Sequence, residues 1–106
     1  MDVQLKRGIL DVCVLASLLK EDSYGYKIIQ TLDGVVDISE STLYPILRRL
    51  ENNRCLTSYS VEHSGRLRKF YHITEEGKEK IKDYLVDFMD VMKIYEFIAK
   101  EAKRSE

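Results

Sequence analysis

Between Thr42 and Ile73 stand Arg48, Arg49, Arg54, Arg66, Arg68 and Lys69 against only Glu51 and Glu62, a net charge of +4. Residues 1–41 carry −3 and residues 74–106 carry −2, so the whole-chain charge of −1 hides a cationic middle between acidic flanks. Guanidinium and ammonium groups at this density suit a polyanion, because they attract phosphates and release the counterions condensed on them. Covalent chemistry has no comparable footing: no nucleophile–base pair or carboxylate dyad stands at a reactive spacing. Cys55, His63 and His72 follow no metal-ligand pattern, so neither a metal nor another cofactor is expected.

The elements around these residues must bring them to one surface. Leu43, Ile46, Leu47 and Leu50 recur at i, i+3, i+4 and i+7 and predict a helix capped by Ser39 or Ser41 and ending at Asn52 or Asn53. Ser41, Pro45, Arg48 and Asn52 then point away from the buried stripe, with Thr42, Tyr44 and Arg49 on its flanks. Pro45 lies past the first helical position and costs up to ~3 kcal/mol unless solvent satisfies the freed carbonyl. Cys55–Val61 and Leu67–Ile73 read as strands joined by turn-forming residues from Glu62 to Arg66. Alternation along the return strand puts Arg68 and Phe70 on one face, Lys69 and Tyr71 on the other.

Upstream, residues 4–20 form a helix that is apolar nearly all round. Leu5, Ile9, Val12, Cys13, Ala16 and Leu19 fill one face, and Leu10, Val14, Leu15 and Leu18 much of the rest. Such a helix must be covered on several sides, and a second copy of the chain is the expected source of that cover. Ser23 is a candidate cap for a helix from Tyr24 to Leu32, with Tyr26 among its core anchors. Thr74-Glu75-Glu76 opens a last helix of about thirty residues, a rod of ~45 Å whose apolar stripe one small core cannot cover.

A chain of 106 residues with 33 % charged and 44 % hydrophobic side chains, five Gly and one Pro is one small, mostly helical unit. The apolar run Ile9–Leu19 is too short to span a bilayer and holds Asp11, so no membrane partner is expected. Cys13 and Cys55 make no disulfide framework and suit a reducing, cytoplasmic setting, although Arg54 beside Cys55 leaves a redox-sensitive thiol open. Helix, helix, turn, helix, then a basic hairpin is the order of a winged helix-turn-helix. The fold class is therefore mostly α with a small β-hairpin: a DNA-binding head over residues 1–73 and a dimerisation helix over residues 74–106.

Ser39-Glu40-Ser41-Thr42-Leu43-Tyr44-Pro45-Ile46-Leu47-Arg48-Arg49-Leu50-Glu51 resembles the recognition helix of PadR-type transcriptional regulators. Ser23-Tyr24-Gly25-Tyr26 resembles the start of their preceding helix, and the run from Gly65 to Gly77 resembles their wing and the opening of their last helix. The resemblance covers nearly the whole chain and matches the short branch with a single C-terminal helix. It implies a bacterial, homodimeric repressor whose last helix packs on the partner's first and last helices. Departures are Leu67 for a frequent Pro, Arg54 for a Gly after the recognition helix, and Cys55 for an aliphatic residue.

On this reading Ser41, Thr42, Tyr44 and Arg48 are candidates for groove contacts with a palindromic double-stranded operator, Tyr44 alternatively being a packing aromatic. Arg49 suits a phosphate contact or an intrahelical pair. Tyr24 is expected to donate its phenol to a phosphate, and Arg66, Arg68 and Lys69 form the wing set. Leu10, Leu15, Leu85, Phe88, Met92, Tyr95, Ile98 and Ala99 are expected at the dimer interface. Phe88, Met89, Met92 and Tyr95 could also line a pocket for a flat aromatic effector, which would make the protein a ligand-responsive sensor. A winged helix that binds proteins instead of DNA is the third reading.

Overall fold

The computed structural model describes the backbone of residues 3–105 and the side chains of residues 8–105. Leu5, Lys6 and Arg7 therefore have side chains outside the described residues. Helix α1 spans Val3–Ala16, strand β1 Ser23–Tyr24, helix α2 Gly25–Leu32 and helix α3 Glu40–Asn52. Strands β2 (Leu56–His63) and β3 (Arg66–Ile73) form the hairpin, and helix α4 runs from Glu75 to Arg104. The three strands make one antiparallel sheet in the order β1-β3-β2. The expected hairpin is present, and a third strand extends it.

The extra strand comes from residues 23–24, whose extended backbone pairs Ser23 with Tyr71 and Tyr24 with Phe70 along the free edge of β3. Ser23 is consequently not the helix cap; Tyr24 holds that place and its side chain makes no capping bond.

The α3 stripe is buried as its spacing predicts, with Leu43, Ile46, Leu47 and Leu50 all among the core residues. Burying four such side chains contributes roughly 6–12 kcal/mol, which outweighs the ~3 kcal/mol of a mid-helix proline. Pro45 is on the exposed face, where solvent reaches the carbonyl it frees.

The core also takes Leu10, Val14, Leu15 and Leu18 of α1, Ile28 and Leu32 of α2, and Leu56, Tyr71 and Ile73 of the sheet. Here two expectations are corrected. Leu10 and Leu15, assigned to a subunit interface, are 8 % and 0 % exposed within the single chain. Helices α2, α3 and α4 of the same chain all touch α1 and cover these two, while Ile9 and Val12 are only half-buried and Ala16 and Leu19 are exposed. Tyr26, expected in the core, is 59 % exposed.

Three backbone details join the head to the rod. Helix α3 ends with Arg54 N–H donating to the Glu51 carbonyl at 3.1 Å and Cys55 N–H to the Leu50 carbonyl at 2.9 Å. That is a Schellman motif, and it puts Arg54 at φ +64°, a conformation glycine adopts more cheaply. Next, Thr74 Oγ1 accepts from Gly77 N–H at 3.1 Å and donates to the Arg54 carbonyl at 2.6 Å, capping α4 against the end of α3. Finally, Gly77 is buried against the Cys55 carbonyl, where a Cβ would collide with backbone. The first turns of α4, through Gly77 and Ile81, therefore belong to the core of the head. Beyond them the helix projects, and the molecule measures 64 × 25 × 23 Å.

Candidate nucleic-acid interface

The N-terminal end of α3 carries three hydroxyls in mutual contact. Ser39 Oγ accepts from Thr42 N–H at 3.3 Å, donates to Thr42 Oγ1 at 3.2 Å and lies 3.0 Å from Ser41 Oγ. Ser41 and Thr42 are exposed, and the Thr42 hydroxyl, accepting from Ser39, keeps its own hydrogen free to donate outward. One turn on, Tyr44 is 43 % exposed and its hydroxyl end lies over the start of α2. Glycine lets the ring settle this closely, since a Cβ on Gly25 would stand 2.6 Å from the Tyr44 oxygen and make the side chain shift. Tyr44 thus both packs and faces solvent.

Strands β2 and β3 meet in a two-residue turn, Ser64-Gly65, with φ of +51° and +80°. Positive φ at both positions is what a type I′ turn requires and suits the twist of the flanking strands. Glu62, His63 and Arg66, expected in the loop, are in the strands. On β3, Tyr71 and Ile73 turn into the core while Arg66, Arg68 and His72 are exposed and Phe70 is half-buried. Tyr59 of β2 and Tyr24 of β1 both register with Phe70 and share its face.

That outer face holds a network with no precedent in the motif reading. Asp22, just before β1, accepts from the Tyr59 hydroxyl at 2.6 Å and from His72 Nδ1 at 2.7 Å. These two hydrogen bonds hold the Asp22 carboxyl below its ordinary value, and the same Asp22 bond raises the Tyr59 hydroxyl. The Phe70 ring stacks on Tyr59 at 5.8 Å and meets Tyr24 edge-on at 5.3 Å. Strand alternation puts Tyr59, Phe70 and His72 on one face, but neither the role of Asp22 nor the place of Tyr24 is readable without knowing that β1 exists.

The cations divide into committed and free. Arg49 pairs with Asp11, which is 6 % exposed in the core, so neither expected role for Arg49 holds: it ties α3 to α1. Lys69 lies 3.8 Å from Glu51 and over the Tyr71 ring. Among the described residues no carboxylate pairs with Arg48, Arg54, Arg66 or Arg68. A crevice of about 360 Å³ brings the two expected reading elements together, lined by Tyr24, Gly25, Tyr26, Tyr44, Leu67, Arg68, Lys69 and Tyr71. It gathers phenols and cations from β1, α2, α3 and β3 onto one surface, while Thr42 lines a separate hollow with Tyr26, Ile38 and Ser39.

A sequence profile described as the transcriptional regulator PadR-like family matches residues 14–83, which hold most of the head and the root of α4. The chain belongs to the PadR-like family of transcriptional regulators. Across this PadR-like chain, identity to an uncharacterized protein of Lysinibacillus sphaericus is 34 % over 93 residues, covering 83 % of this chain and 85 % of that one. A transcriptional regulator from Clostridium thermocellum superimposes with a TM-score of 0.79 at 33 % identity, covering 87 % of this chain and 94 % of that one. Bacillus subtilis PadR, solved in complex with operator DNA, gives a TM-score of 0.67 at 25 % identity; the match covers 74 % of this chain and 46 % of that one. The family is one of regulators and not of enzymes.

The remaining expected residues lie along the PadR-like rod. Leu85, Phe88, Met89, Tyr95 and Ile98 are 41–61 % exposed, Ala99 is exposed and Met92 half-buried. The Phe88 ring stacks on Tyr84 at 6.0 Å. Both thiols are covered enough for burial to raise them, Cys55 being buried and Cys13 half-buried, which disfavours the reactive thiolate. Among the described residues no helix is long and apolar enough to cross a membrane, and no cluster of His, Cys, Asp or Glu is placed to hold a metal.

Proposed function

We propose that this PadR-like protein is a repressor that grips a palindromic operator as a homodimer in the bacterial cytoplasm. The observation that carries the reading is the shared crevice: Tyr44 of α3 and Arg68 of the wing border it together, and Ser41 and Thr42 stand exposed on the same helix. Ser41, Thr42, Tyr44 and Arg48 enter the major groove on this reading, and Arg66 and Arg68, unpaired among the described residues, hold the flanking backbone. Residues 1–73 with the root of α4 are the DNA-binding head, and the distal part of α4 pairs the subunits.

Support for pairing is the row of exposed apolar side chains from Leu85 to Ile98 on a helix of 30 residues. A lone surface helix does not keep such a row in water. Two heads on paired rods suit half-sites about 34–36 Å apart. Leu85, Phe88, Met92, Tyr95, Ile98 and Ala99 are the pairing residues, and the row they share with Met89 is soft and aromatic enough to admit a planar effector between subunits.

The experiment is fluorescence anisotropy on DNA from upstream of the protein's own gene and on random duplex, across a salt series. Arg68→Ala weakens binding to both DNAs and lowers the salt slope by about 1 per head. Thr42→Ala changes the preference between them by roughly 1–3 kcal/mol, the worth of a base contact. Equal loss on both DNAs for both variants, or sedimentation as a monomer, refutes the reading.

A further inference from the structure

The Arg68 guanidinium lies over the face of the Tyr24 ring, 4.2 Å from its centroid. We infer that Tyr24 is a positioning residue for Arg68, acting through its ring and not its hydroxyl, so that the guanidinium faces DNA with its donors uncommitted. The inference rests on the reading of Arg68 as a DNA contact and replaces the expectation that the Tyr24 phenol itself meets a phosphate.

Three observations carry it. First, the ways of fixing a surface arginine differ in what they consume. A carboxylate takes up N–H donors, as Asp11 does with Arg49, whereas an aromatic face attracts the cation through its quadrupole and leaves the N–H edge free. Among the described residues Arg68 has no carboxylate partner, so the ring is what fixes it.

Second, the ring is itself fixed. Phe70 meets Tyr24 edge-on at 5.3 Å and stacks on Tyr59 at 5.8 Å, and the Tyr59 hydroxyl is anchored on Asp22 at 2.6 Å. Pairing of β1 with β3 sets Tyr24 opposite Phe70, so the whole chain of contacts is built on backbone register.

Third, the place is right. Arg68 and Tyr24 both border the crevice that Tyr44 of α3 enters, so the clamp holds the cation beside the reading helix. A flexible arginine loses side-chain entropy on meeting a phosphate; one already held over a ring loses less, and binding is tighter by that difference.

The test uses the full chain, with Tyr24→Phe, which keeps the ring, and Tyr24→Leu, which removes it, each alone and combined with Arg68→Ala. Binding to a random-sequence duplex of about three helical turns is read by anisotropy at low salt, after each variant's fold is checked by circular dichroism. Tyr24→Leu is expected to weaken binding about two- to fivefold per head. Tyr24→Phe rescues it, and Tyr24→Leu adds nothing in the Arg68→Ala background.

Proton NMR without DNA reads the clamp directly: the Arg68 δ-methylene protons shift upfield in the wild type and Tyr24→Phe and lose that shift in Tyr24→Leu. Equal losses for Phe and Leu would overturn the inference in favour of a hydroxyl contact. An undiminished effect of Tyr24→Leu without Arg68, or no upfield shift in the wild type, would overturn it as well. If the shift is present but Arg68→Ala binds DNA as the wild type does, the DNA-contact reading of Arg68 fails and the positioning role falls with it.

Discussion

Replacing Gly77 with alanine sets two effects of opposite sign against each other. In an open helix the change gains ~1 kcal/mol, because alanine has the higher helix propensity. Here the new methyl would lie inside van der Waals contact of the Cys55 carbonyl and 2.8 Å from Ile73 Cγ1. The carbonyl cannot retreat freely, since it accepts from Thr74 N–H at 3.1 Å and that bond seats the cap of α4. Overpacking costs ~1–3 kcal/mol, and weakening the hydrogen bond adds ~1 kcal/mol. After the propensity gain is subtracted, the variant is expected to be roughly 1–3 kcal/mol less stable. For a chain near one hundred residues that lowers the melting temperature by about 5–20 °C. Differential scanning calorimetry at one fixed protein concentration is the assay, because association raises apparent stability. A melting temperature equal to or above the wild type would refute the argument, for propensity would then outweigh the collision.

Two further outcomes follow from local geometry. Arg54→Gly relieves the left-handed conformation, worth ~1–2 kcal/mol, against an unfolded-state entropy cost of ~0.5–1 kcal/mol; the variant is expected to be slightly more stable in urea titration, and a clear loss would mean that the Arg54 side chain makes a stabilising contact. Asp22 is depressed in the folded state, so its contribution is present above ~3.9 and is lost as pH falls through the folded value. Tyr59 is raised, so its share is present below ~10 and is lost as pH rises through the folded value. The melting-temperature difference between wild type and Tyr59→Phe should therefore hold steady from about pH 5 to 9 and shrink on both sides; a difference that persists at pH ~2 would contradict it.

Much of the architecture is legible because single periodicities decide it. The α3 stripe, the alternation that sets Arg68 and Phe70 on one face, and the Thr74 cap each depend on a few neighbouring residues. What escaped depends on contacts distant in sequence. Strand β1 is two residues long and exists only because β3 has an open edge. The apolar circumference of α1 says that Leu10 and Leu15 need cover, but not that this chain's own helices provide it. Asp11 stands in a largely apolar helix, and its partner, Arg49, lies 38 residues on. The same pair shows why counting positive charges overstates the DNA-facing set: a charge has to be free as well as present, and only the folded chain shows which arginines are.

One oxygen atom, Thr74 Oγ1, is shared by Arg54, just past the end of α3, and the first turn of α4. With Gly77 and Ile81 also packed into the head, head and rod form one rigid lever with arms of very unequal length. Swinging a ~45 Å rod by about five degrees carries its far end ~4 Å, while α3, lying at the pivot, turns only by the same small angle. The count of turns in α4 is therefore a gear ratio, and adding or deleting one turn would reset it without altering a single side chain that touches DNA.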